Sequence, residues 1–171
     1  MNSEHLITFL EGLDEPRVLV VGDVIMDRYV FGDVKRISPE APIPVLNVAE
    51  AEQRLGGAGN VAANLRAMGA AVSIASVVGS DSWGADLRSL LEEVGVKVTG
   101  LVTDETRPSV RKSRLMSGAQ QILRVDWEES AAVEGEVAAA IQAHAATLIE
   151  DVDVVILSDY GKGTLTEETC A

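Results

Sequence analysis

Three short apolar runs most constrain what this chain can fold into. "RVLVVGD" (17–23), "AAVSIASVVG" (70–79) and "DVDVVILSD" (151–159) are rich in Val and Ile and lack the regular apolar–polar alternation of a half-exposed strand. Such runs belong to strands covered on both faces, as in a parallel sheet. Helical patterns separate them. Residues 61–68 read as a helix stopped by Gly69, and 135–150 as an Ala-rich helix. Residues 80–95 place Leu87, Leu90, Leu91 and Val94 on one face, with Ser80 or Ser82 able to cap the start and Gly95 the end. Strands alternating with long helices argue for an α/β domain.

A second set of segments alternates more. "DRYVFGDV", "IPVLNVAEAEQ", "KVTGLVT", "SVRKSRLMS" and "QQILRVDWEE" read as exposed or edge strands of a smaller sheet, with a turn at Ser117-Gly118. Between the first two, Pro39, Pro42 and Pro44 keep the chain extended or turned. "LTEET" opens a further helix. The 171 residues suffice for one domain with a core, and 47% apolar content argues against disorder. A net charge of −13 disfavours nucleic acid, whose phosphates need basic partners. Against that background Arg107 to Arg114 form a local basic cluster.

One cysteine, Cys170, excludes a disulfide framework and a cysteine-based zinc site in this chain. His5 and His144 have no neighbours at metal-ligand spacing, and His144 is expected on a solvated helix face. The start, "MNSEHLITFLEGLDEPR", lacks the basic and apolar regions of a signal peptide, and no apolar run nears the ~18 residues of a membrane span. No membrane partner and a cytoplasmic location are the expectation.

"LGGAGNVAANLRAMG" (55–69) raises the question of a ligand cradle. A dinucleotide fingerprint needs G-x-G-x-x-G after a buried strand, and Gly57 and Gly59 supply only the first pair; a P-loop needs Gly-Lys-Ser/Thr, which does not follow. Glycines at a helix start still let backbone approach a ligand, and Asn60 adds an amide that donates and accepts. The structural alternative is an N-cap with close helix packing. Asp23 and Asp27 bracket the end of the first apolar run, where ligands bind in open α/β sheets; each could accept from a diol or close an Asx turn. "SDYGKG" (158–163) occupies the equivalent end of the third run, with Asp159 for hydroxyls and Lys162 for an anion, or as a polar turn. Lys112 and Arg114 share one strand face and could bind phosphate, or guard an edge strand.

Together, "VVGDVIMDRY", "GGAGNVAANLRAMGA", "VVGSDSWG" and "SDYGKG" resemble, in order and spacing, the ribokinase-like (PfkB) carbohydrate kinases, over about residues 15–171. "RISPEAPIPVL" and "RKSRLMSGAQQILRVDWEE" look like the branch that phosphorylates heptose 7-phosphate. The resemblance implies a three-layer α/β/α domain with a small β-sheet lid, built here from about residues 29–48 and 98–127. It implies that Asp27, Gly57 and Asn60 bind sugar and that Asp159 lies beside it. From charge, Lys112 and Arg114 are candidates for the 7-phosphate. It also implies an ATP- and Mg²⁺-dependent phosphorylation of the anomeric hydroxyl, leading toward ADP-heptose and lipopolysaccharide. "GAGN" (57–60) is not the family's catalytic Gly-Ala-Gly-Asp loop, which lies far downstream. A complete domain of the family is roughly twice as long. The chain is therefore expected to be a truncated, N-terminal half, inactive and without bound ATP or Mg²⁺. A lid-to-lid homodimer is expected, with Val30, Ile43, Val45 and Leu46 offering apolar faces. The alternative is a non-catalytic sugar-phosphate-binding or dimerisation module.

Overall fold

The computed structural model describes Gly12 and residues 15–170; His5 and most of the segment considered for a signal peptide lie outside the described residues. The first apolar run is β1 (Arg17–Gly22). It is followed by two long strands, β2 (Val24–Ile37) and β3 (Pro44–Gly57), and helix α1 (Ala58–Ala67). Then come β4 (Ala71–Gly79), α2 (Ser82–Glu93), β5 (Lys97–Asp104), β6 (Arg111–Ser117), β7 (Gln120–Trp127), α3 (Gly135–Ile149) and β8 (Val154–Ser158). Two four-stranded sheets result. One is parallel, in the order β5-β4-β1-β8; the other runs β3-β2-β6-β7, with only β2 and β6 parallel.

The parallel sheet has helices on both faces because its strands are apolar on both. Val18, Val20 and Ile74 pack with Ala58, Ala62, Leu87 and Leu91, which belong to α1 and α2. Leu19, Val21 and Ala75 face Ala145 and Leu148 of α3, and Val77 meets Ala138 and Ile141. This is the expected three-layer arrangement. Each fully buried aliphatic side chain contributes about 1.5–3 kcal/mol, so these paired layers supply much of the driving force.

The chain crosses from one sheet to the other through a single residue, Asp23. Its carboxylate is buried and accepts three backbone N–H groups: Tyr160 and Lys162 on Oδ2 at 2.9 and 3.0 Å, and Thr164 on Oδ1 at 3.0 Å. Its carbonyl accepts Ala58 N–H at 2.9 Å, starting α1. Ser76 Oγ, buried in β4, donates to Gly22 O and accepts from Val24 N–H, fastening both flanks of the crossing.

Several expectations are corrected. Residues 98–104 do not join the smaller sheet; they form β5, the edge of the parallel sheet, paired with β4. An edge strand exposes one side, so it alternates like a lid strand, and the pattern could not tell the two apart. The second sheet instead takes its last two strands from 111–127. β2 is not an edge strand but lies between β3 and β6. The cap of α2 is Asp81, not Ser80 or Ser82: its carboxylate accepts Gly84 N–H at 2.8 Å. The third run is less buried than expected, with Val154 and Leu157 at 50% and 60% exposure, because among the described residues β8 is an edge strand paired with β1 alone. Residues 167–170 form a single hydrogen-bonded turn in which Cys170 N–H donates to the Thr166 carbonyl at 3.1 Å. No described helix is long and apolar enough to cross a membrane.

Candidate functional site

Asp27, Gly57 and Asn60 line one cavity of about 390 Å³ where the second sheet meets the end of the parallel sheet. Strand alternation puts Asp27 and Tyr29 of β2 on the same face. Arg54, the register partner of Asp27 on β3, joins them, and Tyr160 reaches in from the loop after β8. That loop is held in place by Asp23, whose carboxylate is thereby spent on backbone and is not a diol ligand.

The glycines explain how backbone gets so close. Gly57 sits at φ 56°, a left-handed conformation that side chains disfavour, and is the N-cap of α1 without a side-chain cap bond. Asn60 therefore does not cap the helix; it stands exposed on the first turn, bordering the cavity. At Gly56 a Cβ would lie 2.6 Å from Asp27 Oδ2, so only glycine leaves that carboxylate its position.

Asp27 is paired with Arg114 of β6, and both are largely buried. Burial works against the Arg114 charge, but the hydrogen bond and field of Asp27 outweigh it and hold the guanidinium above its ordinary pKa. The Tyr29 ring is flanked by Arg54 and Arg114 at 4.9 and 5.2 Å from its centroid. Asp27 is thus fixed in position by Arg114.

Lys112 shares this face of β6 but is engaged elsewhere. Its Nζ lies 3.2 Å from Asp126 and 2.9 Å from Glu128, and Glu128 also pairs with Lys162 at 2.9 Å. Burial lowers the Lys112 pKa, yet these two carboxylates raise it overall. Lys162 and Glu128 so connect the loop after β8 to the end of β7. Asp159 is exposed and its Oδ1 accepts Gly161 N–H at 2.8 Å, an Asx turn just before Tyr160; its carboxylate is not among the groups lining the cavity.

Sequence reasoning missed Tyr29, Arg54, Gly56, Tyr160 and Glu128. Tyr29 was readable from its i, i+2 spacing to Asp27, whereas Arg54 needed the β2–β3 register. Arg107, counted in the basic cluster, is structural. It pairs with Asp104 at 2.9 Å in near-complete burial and reaches the carbonyls of Ala131, Ala132 and Lys162. Among the described residues no group of three or more His, Cys, Asp or Glu side chains is placed to hold a metal ion.

A three-layer α/β/α domain with a small second sheet, and a polar cavity between them, define a carbohydrate-kinase architecture. The chain belongs to the pfkB family of carbohydrate kinases, whose model matches residues 15–171. It is 49% identical over 158 residues to the D-beta-D-heptose 7-phosphate kinase of Bordetella bronchiseptica, covering 91% of this chain and 49% of that protein. It is 44% identical over 155 residues to the bifunctional protein HldE of Wolinella succinogenes, covering 91% of this chain and 33% of that one. The chain thus spans a third to a half of the length of the curated relatives it matches. A carbohydrate kinase from Agrobacterium tumefaciens superposes with a TM-score of 0.63 over 83% of this chain and 45% of its own, at 18% identity. A sugar kinase from Pyrococcus horikoshii in complex with ATP gives 0.57 over 82% and 42%, at 20% identity. These two likenesses establish the shared fold.

Proposed function

We propose that this chain carries the sugar-binding part of a kinase that phosphorylates the anomeric hydroxyl of heptose 7-phosphate. The step leads toward ADP-heptose for lipopolysaccharide. The observation that carries the reading is the convergence of Asp27, Gly57 and Asn60 on one cavity. A carboxylate, an amide and the backbone of Gly57 match the donors and acceptors of a polyol. Arg114 pairs with Asp27 and orients it. Lys112, and Arg114 beyond its Asp27 contact, are the groups for the 7-phosphate, and Asp159 contributes from the rim. ATP and Mg²⁺ act in the complete kinase, where Mg²⁺ neutralises charge on the transferred phosphoryl group. On this reading the chain alone binds sugar phosphate and does not turn it over.

Calorimetry of heptose 7-phosphate against the chain and Asp27→Asn tests the site. Losing one charge-assisted hydrogen bond weakens binding by roughly ten- to a hundredfold. Equal affinity for both removes Asp27 from the site. Bisphosphate formed with ATP and Mg²⁺ would refute the claim that the chain is inactive. A second reading, a lid-to-lid homodimer, is favoured by Ile37, Ile43, Val48 and Leu123, which stand more than half exposed on and around the second sheet. Val30, expected to contribute, is instead buried within the chain. A monodisperse monomer in sedimentation at high micromolar concentration would count against it.

A further inference from the structure

We propose that Arg28 and Arg111, held over Trp83 and Trp127 on the other face of the second sheet, form a binding site for a phosphate-type oxoanion. Arg28 follows Asp27 in β2, so its side chain leaves the sheet on the face away from the sugar cavity. Arg111 is opposite Met26 in register and shares Arg28's face, as does Ser113, directly opposite Arg28.

Both guanidinium groups lie over the Trp83 ring, at 5.7 Å for Arg28 and 4.1 Å for Arg111, and Arg111 also stacks on Trp127 at 3.7 Å. Two cations therefore share one aromatic surface. Among the described residues neither has a carboxylate within 4.0 Å, although the chain carries a net charge of −13 and the neighbouring Lys112 and Arg114 are both paired. The nearby Asp81 is occupied by Gly84 N–H and by the N–H and hydroxyl of Ser109. Asp86 accepts from Gln53.

The site also holds unmet hydrogen-bonding groups. Among the described residues Arg111 Nε is buried without a partner, and so is the hydroxyl of Ser113, whose residue is only 3% exposed. Tryptophan faces attract the cations but accept none of their in-plane N–H bonds. Burial, then repulsion from Arg28, lowers the Arg111 pKa against the pull of Asp81. An oxoanion relieves that repulsion and accepts from two guanidinium forks at once. Trp127 is 44% exposed, and Arg28 and Arg111 are half-buried.

The chain's two tryptophans both belong to this site, so their emission reports on it alone. Inorganic phosphate is titrated at ionic strength held constant with sodium chloride, in the full chain and in Arg28→Gln and Arg111→Gln. The expected result is a saturable emission change, weakened at least about tenfold in either arginine variant. Arg28→Gln serves if Arg111→Gln does not fold. A parallel titration with glycerol phosphate separates free phosphate from a phosphate ester by which binds more tightly. No saturable change, the same change with chloride alone, or unaltered affinity in Arg28→Gln would overturn the proposal. Because Asp27 lies on the other face, failure here leaves the sugar site untouched.

Discussion

Replacing Asp23 tests whether one buried carboxylate holds the two halves of the site together. The side chain is 2% exposed and accepts Tyr160, Lys162 and Thr164 N–H at 2.9–3.0 Å. In Asp23→Ala three donors lose their acceptor, at about 1–3 kcal/mol for each that stays buried. Relief of carboxylate desolvation and partial opening of the loop offset part of this, leaving an expected loss of about 3–5 kcal/mol. That is a large share of the ~5–15 kcal/mol typical of a domain. Asp23→Asn keeps one acceptor oxygen, which can serve either Oδ2's two donors or Oδ1's one, so its expected cost is about 1–3 kcal/mol. Urea unfolding measures both values, and amide exchange at 160, 162 and 164 reads the loop directly. A loss under about 1 kcal/mol in Asp23→Ala, with exchange at those amides unchanged, would refute the reasoning. Tyr160 borders the cavity, so the loosened loop should also weaken sugar-phosphate binding.

Gly56→Ala puts a Cβ against Asp27 Oδ2 and should displace that carboxylate from Arg114, weakening heptose 7-phosphate binding by about tenfold in calorimetry. Lys112→Ala should reduce affinity for phosphorylated sugar more than for the unphosphorylated sugar; equal losses would exclude Lys112 from the phosphate. On acidification, Asp81, Asp104 and Asp126 keep depressed pKa values: burial opposes their charge, but hydrogen bonds from Ser109, from Thr106 and from Arg124 respectively, with further partners, prevail. Glu128 is lowered by Lys162 and Lys112, and Asp153 by Arg17 to about 2. Each folded pKa lies below the unfolded one, so this stability is present above the unfolded values near 4 and is lost as pH falls through the folded values. Urea midpoints should hold from neutrality to about pH 5 and drop steadily below it.

The sequence by itself determined the layers. Runs such as 17–22 and 71–79 are apolar on both faces, and only a sheet covered by helices on two sides satisfies them. Gly57 and Asn60 carried the local signature of a glycine-rich helix start, and the resemblance to the carbohydrate kinases joined Asp27 to them. Tertiary structure decided the rest, because the remaining assignments depend on partners distant in the chain. β5 and a lid strand carry the same alternation, and only pairing with β4 separates them. Asp23 and Asp27 look alike in sequence; one is consumed by backbone more than 130 residues away and the other is held by Arg114. Within the basic cluster, Arg107 became a buried brace, Lys112 and Arg114 found carboxylates, and Arg111 was stacked between two rings without one. A charge's role depends on what lies within a few ångströms of it, and strand register sets those neighbours.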